Sequence, residues 1–290
     1  MSIHIGGNGW YKGASVTVKK LYVGSISAKS IYVGNTLVWL ESFPHDAMVA
    51  ATAENLDWGG SRMCYGGIPD LSGNEKHGLN AYSTINFVED ADMGRCFNTT
   101  HDNWGSKGCL YWGPFSSELG TQYSASTPGN PIDYTGISAC TVHLRFKVTN
   151  SRNNPCLFDC RDADKITGGF CVRLNSEPRT LNLVTRNGTT DTTYTTTNTI
   201  IPVNSVTNLT VAVNNSSNRA KFYLDGVLKE TITLQANHLK FGNSTLTTVL
   251  NFNDFPKGRY SSLLLRNFRL YGRELTASEV SLLKQYPDMY

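Results

Sequence analysis

Carboxylates are the first residues of this chain whose spacing can be tested against a reaction. A retaining glycosidase needs two carboxyl groups about 5–5.5 Å apart. The nearest acidic cluster is Glu-Asp-Ala-Asp at residues 89–92, and it is followed by Met-Gly, which is typical of a turn. The chain has no Gly-x-Ser-x-Gly motif, and its histidines form no His-x-His or His-Glu-x-x-His pattern. The sequence therefore predicts that the protein is not an enzyme and that residues 89–92 form a solvated loop.

Sugar binding is a second chemistry that the residue types could support. A pyranose presents an apolar face that packs on aromatic rings and hydroxyls that need polar partners. The densest cluster of this kind gives four candidate glycan-binding residues: His101, Asn103, Trp104 and Trp112. A second candidate is the alternating row of His143, Arg145 and Lys147, which would suit an acidic glycan. The alternative for both sets is an ordinary place in the core, in a turn or on a solvated sheet face.

The seven cysteines are odd in number and irregular in spacing, and no Cys-x-x-Cys pair occurs. This argues against a zinc site and against a thioredoxin-like motif. Cys140 and Cys171 are predicted on the apolar phase of strands, where a thiol behaves as a small hydrophobic side chain. No secretory signal peptide is visible, so the six Asn-x-Ser/Thr sequons are better explained as turn-rich sequence than as glycan sites. We expect reduced, buried cysteines, no cofactor, and folding in a reducing cytoplasm.

Residues 1–40 differ in charge from the rest of the chain. They contain four lysines and no carboxylate, so their charge is +4, whereas the whole chain has a net charge of only +3. The sequence Tyr-Val-Gly occurs at residues 22–24 and again at residues 32–34, each time inside a β-prone run. Glycine as the first residue of a two-residue loop is typical of a type II′ turn. Each copy is therefore predicted to form half of a tight β-hairpin.

A hairpin of this size cannot bury both of its faces, so Tyr22, Tyr32 and Trp39 must pack on another surface. That surface is either the following domain or another protein. The repeated pattern within residues 20–39 resembles segments of tailed-bacteriophage virion proteins. The resemblance implies that residues 1–42 dock the chain onto other virion proteins. Four lysines spread over 40 residues are too dispersed to indicate nucleic acid as a partner.

The remainder of the chain predicts short antiparallel strands. Apolar and polar side chains alternate strictly along residues 140–148. Further strands are predicted at residues 169–174, 180–185, 208–214, 220–224 and 262–271. Asn-Gly at residues 187–188 and Asp-Gly at residues 225–226 predict hairpin turns, and the threonine-rich residues 185–199 predict an exposed hairpin. No apolar run is long enough for a transmembrane helix.

Three motifs, in this order, resemble the laminin G-like, concanavalin A-like jelly-roll superfamily. Residues 69–79 are similar to its early Asp-x-Ser-Gly-Asn-x-x-His-Gly segment, and residues 222–228 to its Tyr-x-Asp-Gly hairpin. Residues 266–280 are similar to its closing strand and helix, and contain the capping box Thr-Ala-Ser-Glu. The resemblance implies an all-β fold: an antiparallel jelly-roll β-sandwich over residues 43–290 with a short C-terminal helix, preceded by a small N-terminal β-hairpin arm over residues 1–42.

The same resemblance implies a metal site. Some relatives bind a structural calcium ion through carboxylate and backbone oxygens, and Asp70 with Asn74 is the position that can be carried over. The alternative is an Asx-type turn, in which Asp70 accepts hydrogen bonds from backbone amides two or three residues later. The laminarinase-like glycosidases of the superfamily carry Glu-x-Asp-x-Glu or Glu-x-Asp-x-x-Glu along one strand, and neither spacing occurs here.

Two classes of function remain, because this fold serves lectins, glycosidases and structural proteins. The first is a non-enzymatic bacteriophage virion component, such as a tail or head appendage or a decoration protein. It would be made in the host cytoplasm, reside in the virion as a homo-oligomer, and present its jelly roll to host-surface polysaccharide, with neither nucleic acid nor membrane as a partner. The second is a bacterial glycan-binding or glycan-active protein in which residues 1–40 are only an arm.

Overall fold

A computed structural model describes most of the chain. The described residues are 22–23, 26–27, 30–33, 36–40, 42–53, 67–68, 70–74, 78–81, 86–98, 109–112, 132–149, 155–161, 168–175, 179–242, 247–251 and 263–289. In chain order their elements are β1 (Tyr22–Val23), β2 (Ile26–Ser27), β3 (Ser30–Val33), β4 (Thr36–Leu40), β5 (Val49–Thr52), β6 (Gly67–Ile68), β7 (Gly78–Ala81), β8 (Asn86–Asp90), β9 (Gly94–Asn98), β10 (Cys109–Trp112), β11 (Ala139–Val148), β12 (Cys156–Asp159), β13 (Gly169–Leu174), β14 (Leu181–Asn187), β15 (Thr190–Thr195), β16 (Val206–Asn214), β17 (Arg219–Leu224), β18 (Val227–Thr233), β19 (Thr247–Asn251), β20 (Leu263–Tyr271) and α1 (Ala277–Gln285).

Two antiparallel sheets form the predicted sandwich. Sheet I has the strand order β15-β14-β13-β12-β19-β10-β7-β6. Sheet II has the order β18-β17-β16-β11-β20-β9-β8, and β5 pairs with β20 beside the end of β9. Strands distant in sequence are neighbours in both sheets, as in β12 beside β19 and β11 beside β20. The all-β fold class is therefore confirmed.

The main core lies between the two sheets, and it is built from the apolar phase of each strand. On β11 this phase is the one that the alternation predicts: Cys140, Val142, Leu144, Phe146 and Val148. Phe268 of β20 sits near the centre, with its ring centroid 5.1 Å from that of Trp112 and 6.1 Å from that of Phe158. Burying these large rings on both sides of one layer supplies the apolar area that holds the sheets together.

A second apolar cluster covers the outer face of sheet II. Tyr271 and Tyr223 contribute to it from the sheet, Val280 and Leu283 from α1, and Phe43 from the segment before β5. Helix α1 starts at the predicted capping box, in which Thr276 accepts a bond from the Glu279 amide and the Glu279 carboxylate accepts one from the Thr276 amide. The predicted C-terminal helix is confirmed, and it acts as a cover for one sheet.

The hairpin turns follow the sequence closely. The β17–β18 loop is Asp225-Gly226, and both residues have positive φ (50° and 81°), as a type I′ turn requires. In the β14–β15 hairpin, Asn187 pairs with Thr190, so the loop begins one residue later than predicted, at Gly188. Strand β15 is exposed along most of its length, as expected for the threonine-rich residues 185–199, but Thr185, Thr196 and Thr199 are buried. In the part of the chain that the structure describes, no helix is long and apolar enough to cross a membrane.

The N-terminal repeat forms two hairpins, so each copy contributes a whole hairpin rather than the predicted half. Strand β1 pairs with β2 and β3 pairs with β4, each across a two-residue connection that begins with the repeated glycine. Each pair is its own two-stranded sheet, and none of these four strands joins sheet I or sheet II. Leu40, the last residue of β4, packs against the cluster that covers sheet II, so the second hairpin adjoins the sandwich directly.

Candidate functional site

Trp112, one of the four predicted glycan-binding residues, is a core residue. Its side chain is fully buried and packs on Phe268 between the sheets. Gly78 on the neighbouring strand makes room for the indole, because a Cβ atom at position 78 would lie 2.6 Å from Cε2 of Trp112. The ring therefore cannot stack on a sugar at the surface. The other three, His101, Asn103 and Trp104, lie outside the described residues.

The predicted basic row on β11 points away from the core as expected, but it is not a free surface. His143 is fully buried, and its Nδ1 atom lies 2.9 Å from Oγ1 of Thr210. Burial lowers the pKa of His143 well below its usual value, and the nearby Arg269 and Arg145 guanidinium groups lower it further. The ring is therefore neutral at pH 7 and cannot serve as a cationic contact for an acidic glycan.

Lys147, at the end of the same row, is held by the acidic cluster of residues 89–92. Its Nζ atom lies 2.7 Å from Oδ2 of Asp90 and 2.8 Å from Oδ2 of Asp92. Burial would raise the pKa of Asp90, but the hydrogen bonds from Lys147 and from the Asp92 amide outweigh it and lower that pKa. Residues 89–92 are the end of β8 and the turn into β9 rather than the predicted solvated loop, and Asp90 and Asp92 each form an ion pair with Lys147.

The outer face of sheet I carries a patch of accessible polar groups. We call Asn175, Asn182, Asp191, Thr193 and Thr195 the outer polar face. Cross-strand pairing of Asn182 with Thr195 and of Val184 with Thr193 places these side chains on one face. The two asparagines exchange amide hydrogen bonds, and Thr195 donates to Oδ1 of Asn182 at 2.7 Å. The face presents amides and hydroxyls, the groups that exchange hydrogen bonds with sugar hydroxyls.

An arginine cluster lies on the same face and holds Asp191 in place. Arg161 binds Asp159 through two bonds (Nε–Oδ1 3.0 Å, Nη2–Oδ2 2.7 Å) and reaches Oδ2 of Asp191 at 3.0 Å. Arg186 makes a second two-point contact with Asp191 at 2.6 and 2.8 Å. Burial would raise the pKa of Asp191, but Arg186 and Arg161 lower it, so the carboxylate stays charged. These bidentate pairs join β12, β14 and β15 in a defined geometry.

Comparison with protein families agrees with this architecture. A family model described as the concanavalin A-like lectin/glucanases superfamily matches residues 119–281, more than half of the chain. The chain belongs to this superfamily. No curated protein sequence matches it at a significant level.

Solved structures of similar fold include several toxin binding domains. The binding domain of Paraclostridial Mosquitocidal Protein 1 is 18% identical with a TM-score of 0.56, over 84% of this chain and 53% of the other. The binding domain of botulinum neurotoxin serotype D is 12% identical with a TM-score of 0.55, over 85% and 52%. The binding domain of botulinum neurotoxin DC, solved with rat synaptotagmin II, is 12% identical with a TM-score of 0.56, over 84% and 52%. This chain spans about half the length of these domains, and the likeness shows a shared fold.

The superfamily motifs have structural roles in this member. Asp70 is buried; its Oδ1 accepts bonds from the amides of Ala50 and Ser72, and its Oδ2 accepts one from the Ser72 hydroxyl. This is the Asx-type turn given above as the alternative, and it ties the motif to β5. The bound calcium ion stays a prediction. In the second motif, Oδ1 of Asp225 accepts two bonds from Asn208 on β16.

Glucanase chemistry would require a carboxylic acid that holds its proton near neutral pH. Among the described residues, four carboxyl groups have a shifted pKa: Asp90, Asp191, Glu274 and Glu279. Burial would raise each pKa, but hydrogen bonds from neighbouring lysine or arginine side chains outweigh it, so all four are lowered. These groups are anions in ion pairs, and none has the raised pKa of a general acid.

The predicted docking residues lie in the N-terminal hairpins, and the two cysteines predicted to be buried lie in the sandwich. Tyr22, Tyr32 and Trp39 lie in hairpin strands, but their side chains are outside the described set. Cys140 is in the main core as predicted. Cys171 is buried on the outer face of sheet I instead, because β13 turns Phe170, Val172 and Leu174 toward the core.

Proposed function

We propose that the chain is a non-enzymatic structural component of a tailed-bacteriophage virion, an appendage or decoration protein. In this proposal residues 1–42 dock on other virion proteins and the sandwich is displayed outward. The observation that carries it is that the strands of the two N-terminal hairpins do not pair with either sheet of the sandwich. Two-stranded hairpins are marginally stable alone, so they need a surface to pack against.

The charge distribution supports docking through this arm. Residues 1–40 carry a charge of +4 with no acid, while the rest of the chain balances near neutrality. A basic segment with aromatic side chains pairs well with an acidic, partly apolar surface of a partner, because charge steers the encounter and buried rings supply affinity. The repeated Tyr-Val-Gly pattern gives two successive hairpins, which suits docking onto a repeating structure such as a virion.

The displayed domain is proposed to bind host-surface glycans. Membership of a superfamily that includes lectins supports this assignment, as does fold similarity to toxin binding domains. The outer polar face of sheet I supplies amide and hydroxyl groups. The cluster of His101, Asn103 and Trp104 remains a proposed part of the site, with Trp104 as the aromatic platform. Trp112 has no part in the proposed site, since it is buried.

Virion incorporation tests the docking arm. We expect the triple variant Tyr22→Ser, Tyr32→Ser, Trp39→Ser to fold but to be depleted from purified particles by about tenfold or more, a loss of at least ~1.4 kcal/mol of binding. The matched control is Val227→Ser with Leu228→Ser, which removes exposed apolar side chains from the sandwich and should leave incorporation unchanged. Copies per particle are counted by quantitative mass spectrometry, and folding is checked by circular dichroism. Normal incorporation of the triple variant would reject the docking role.

A glycan array on the full chain tests the display proposal separately. Where a glycan binds, loss of the signal in Trp104→Ala would assign binding to the aromatic platform. A weaker signal in Asn182→Ala would assign it to the outer polar face. Lys229→Ala, on the exposed edge strand β18, is the control and should bind normally. An array without any signal from correctly folded protein would reject glycan binding while leaving the docking proposal intact.

A further inference from the structure

Two cysteines of sheet I lie against each other on its outer face. Sγ of Cys156 on β12 is 3.0 Å from Sγ of Cys171 on β13. Both are buried with Val184 in a small apolar cluster that is separate from the main core. The gap is only about 1 Å longer than a disulfide bond of about 2.05 Å. Small side-chain rotations are therefore enough to bring the two sulfur atoms within bonding distance.

A bulge in the β12–β13 ladder creates this approach. Cys156 is paired with Arg173, but beyond the register shift Asp159 is paired with Cys171. The two cysteines are thus diagonal neighbours on the same face of adjacent strands, a position from which side chains touch. They are 15 residues apart in sequence, and a link between them would close the β12–β13 connection.

We propose that Cys156 and Cys171 form an intramolecular disulfide under oxidising conditions, with a low-molecular-weight disulfide such as oxidised glutathione as oxidant. One cysteine thiolate attacks a glutathione sulfur, the S–S bond of glutathione breaks, and one glutathione thiolate leaves. The second cysteine thiolate then attacks the mixed disulfide and expels the second glutathione. Two electrons pass to the oxidant, and the two thiol protons end on the released glutathione molecules. This proposal is independent of the virion assignment.

A metal ion is the competing explanation, because Asp159 lies within 4.8 Å of both sulfur atoms. Three features favour the disulfide. Both oxygens of Asp159 are already engaged by Arg161. The guanidinium groups of Arg161 and Arg173 lie near the two sulfur atoms, and their positive charge opposes the approach of a cation. Two thiolates on a tetrahedral zinc at about 2.3 Å must also move apart rather than together.

Burial determines how the experiment must be arranged. It raises the pKa of Cys156 well above the usual value, so little thiolate is present and exchange in the folded state is slow. The full chain should therefore be oxidised in two ways, by long incubation when folded and by refolding in a glutathione redox buffer. Trapping with iodoacetamide under denaturing conditions, followed by peptide mapping, then reports the state of each cysteine.

We expect a peptide pair that joins Cys156 to Cys171, with the mass of two hydrogens missing, and a melting temperature about 5 °C or more above that of the reduced protein. Dithiothreitol should remove both effects. Cys156→Ala and Cys171→Ala should show neither. Cys160→Ala is the matched control, since Cys160 is equally buried close by and should leave the link intact.

Two outcomes overturn the proposal. The first is complete alkylation of both cysteines in wild-type protein refolded with oxidised glutathione, when circular dichroism shows the native fold. The second is one equivalent of zinc that binds the wild type, is lost in Cys156→Ala, and blocks oxidation until a chelator removes it. That result would assign the three residues to a metal site instead.

Discussion

The contact between Gly78 and Trp112 makes the core sensitive to one methyl group. A Cβ atom at position 78 would lie 2.6, 2.8 and 2.9 Å from Cε2, Cζ2 and Nε1 of the indole. The indole is fully buried against Phe268, so it cannot swing into solvent. The φ of Gly78 lies outside the left-handed region, so alanine adds no backbone strain and the cost is steric. Gly78→Ala should therefore lose about 1–3 kcal/mol of unfolding free energy through overpacking. Alanine also lowers the conformational entropy of the unfolded chain, but this restores less than about 1 kcal/mol.

A double-mutant cycle separates this overlap from other effects. Trp112→Phe alone should destabilise by roughly 1–3 kcal/mol because it leaves a cavity. In the double variant Gly78→Ala, Trp112→Phe, the smaller ring makes room for the new methyl group. The loss of unfolding free energy should then be smaller than the sum of the two single losses by about 1 kcal/mol or more. Urea unfolding followed by circular dichroism gives the free energies. Gly188→Ala, whose Cβ meets open space, is the control and should combine additively with Trp112→Phe. A neutral Gly78→Ala, or full additivity with Trp112→Phe, would refute the packing argument.

Three further predictions test the ion pair, the cap and the turn. The pKa of Asp90 in the folded protein lies below its usual value, so its ion pair stabilises the fold above about pH 4 and this stabilisation is lost as the pH falls through the folded pKa. Asp90→Asn should therefore be less stable than wild type at pH 7. Urea titrations should show that the difference vanishes at low pH. Thr276→Ala should cost about 1 kcal/mol through loss of the helix cap, whereas Thr193→Ala on exposed β15 should cost under about 0.5 kcal/mol in thermal melts. Asp70→Ala should cost about 1–3 kcal/mol because two amides and a hydroxyl lose their acceptor, and a stability equal to that of wild type would contradict this role.

The fold was accessible from sequence because its signals are local. Alternation along residues 140–148 gives the inward and outward faces of β11, and the structure confirms both. The Asp-Gly turn and the capping box depend on backbone preferences within four residues, and both appear where predicted. The prediction shifted by one residue at the β14–β15 loop, where the pairing of Asn187 with Thr190 places Gly188 first.

The candidate site was less accessible, because it depends on what covers each face. Trp112 was assigned to a sugar platform since aromatic composition alone cannot tell a core ring from a surface one. Its apolar phase with Leu110 on a four-residue strand was the available signal. The side chains of the basic row point outward as predicted, but C-terminal residues almost 150 positions later in the sequence cover the region around His143. The carbonyl oxygens of Pro287 and Met289 bind Arg269 beside the buried His143.

The arginine cluster and the cysteine pair had no local signal at all. Arg161 reaches Asp191 across 30 residues of sequence, although β13 and β14 lie between β12 and β15 in the sheet. The sulfur contact between Cys156 and Cys171 depends on a bulge that no sequence pattern marks. Both features require the strand order and the register, which are properties of the whole sheet.

The two outer faces of the sandwich are therefore not equivalent, and the difference constrains where a ligand can bind. The outer face of sheet II is covered by α1, the segment around Phe43 and the C-terminal residues up to Met289, and His143 is buried on this face. Sheet I leaves Thr193 and Thr195 exposed on a surface whose geometry the arginine cluster holds rigid. A rigid polar face loses little conformational entropy when it binds a ligand. The face formed by β14 and β15 is consequently the surface that we propose for a sugar, and the second hairpin contacts the opposite, covered side through Leu40.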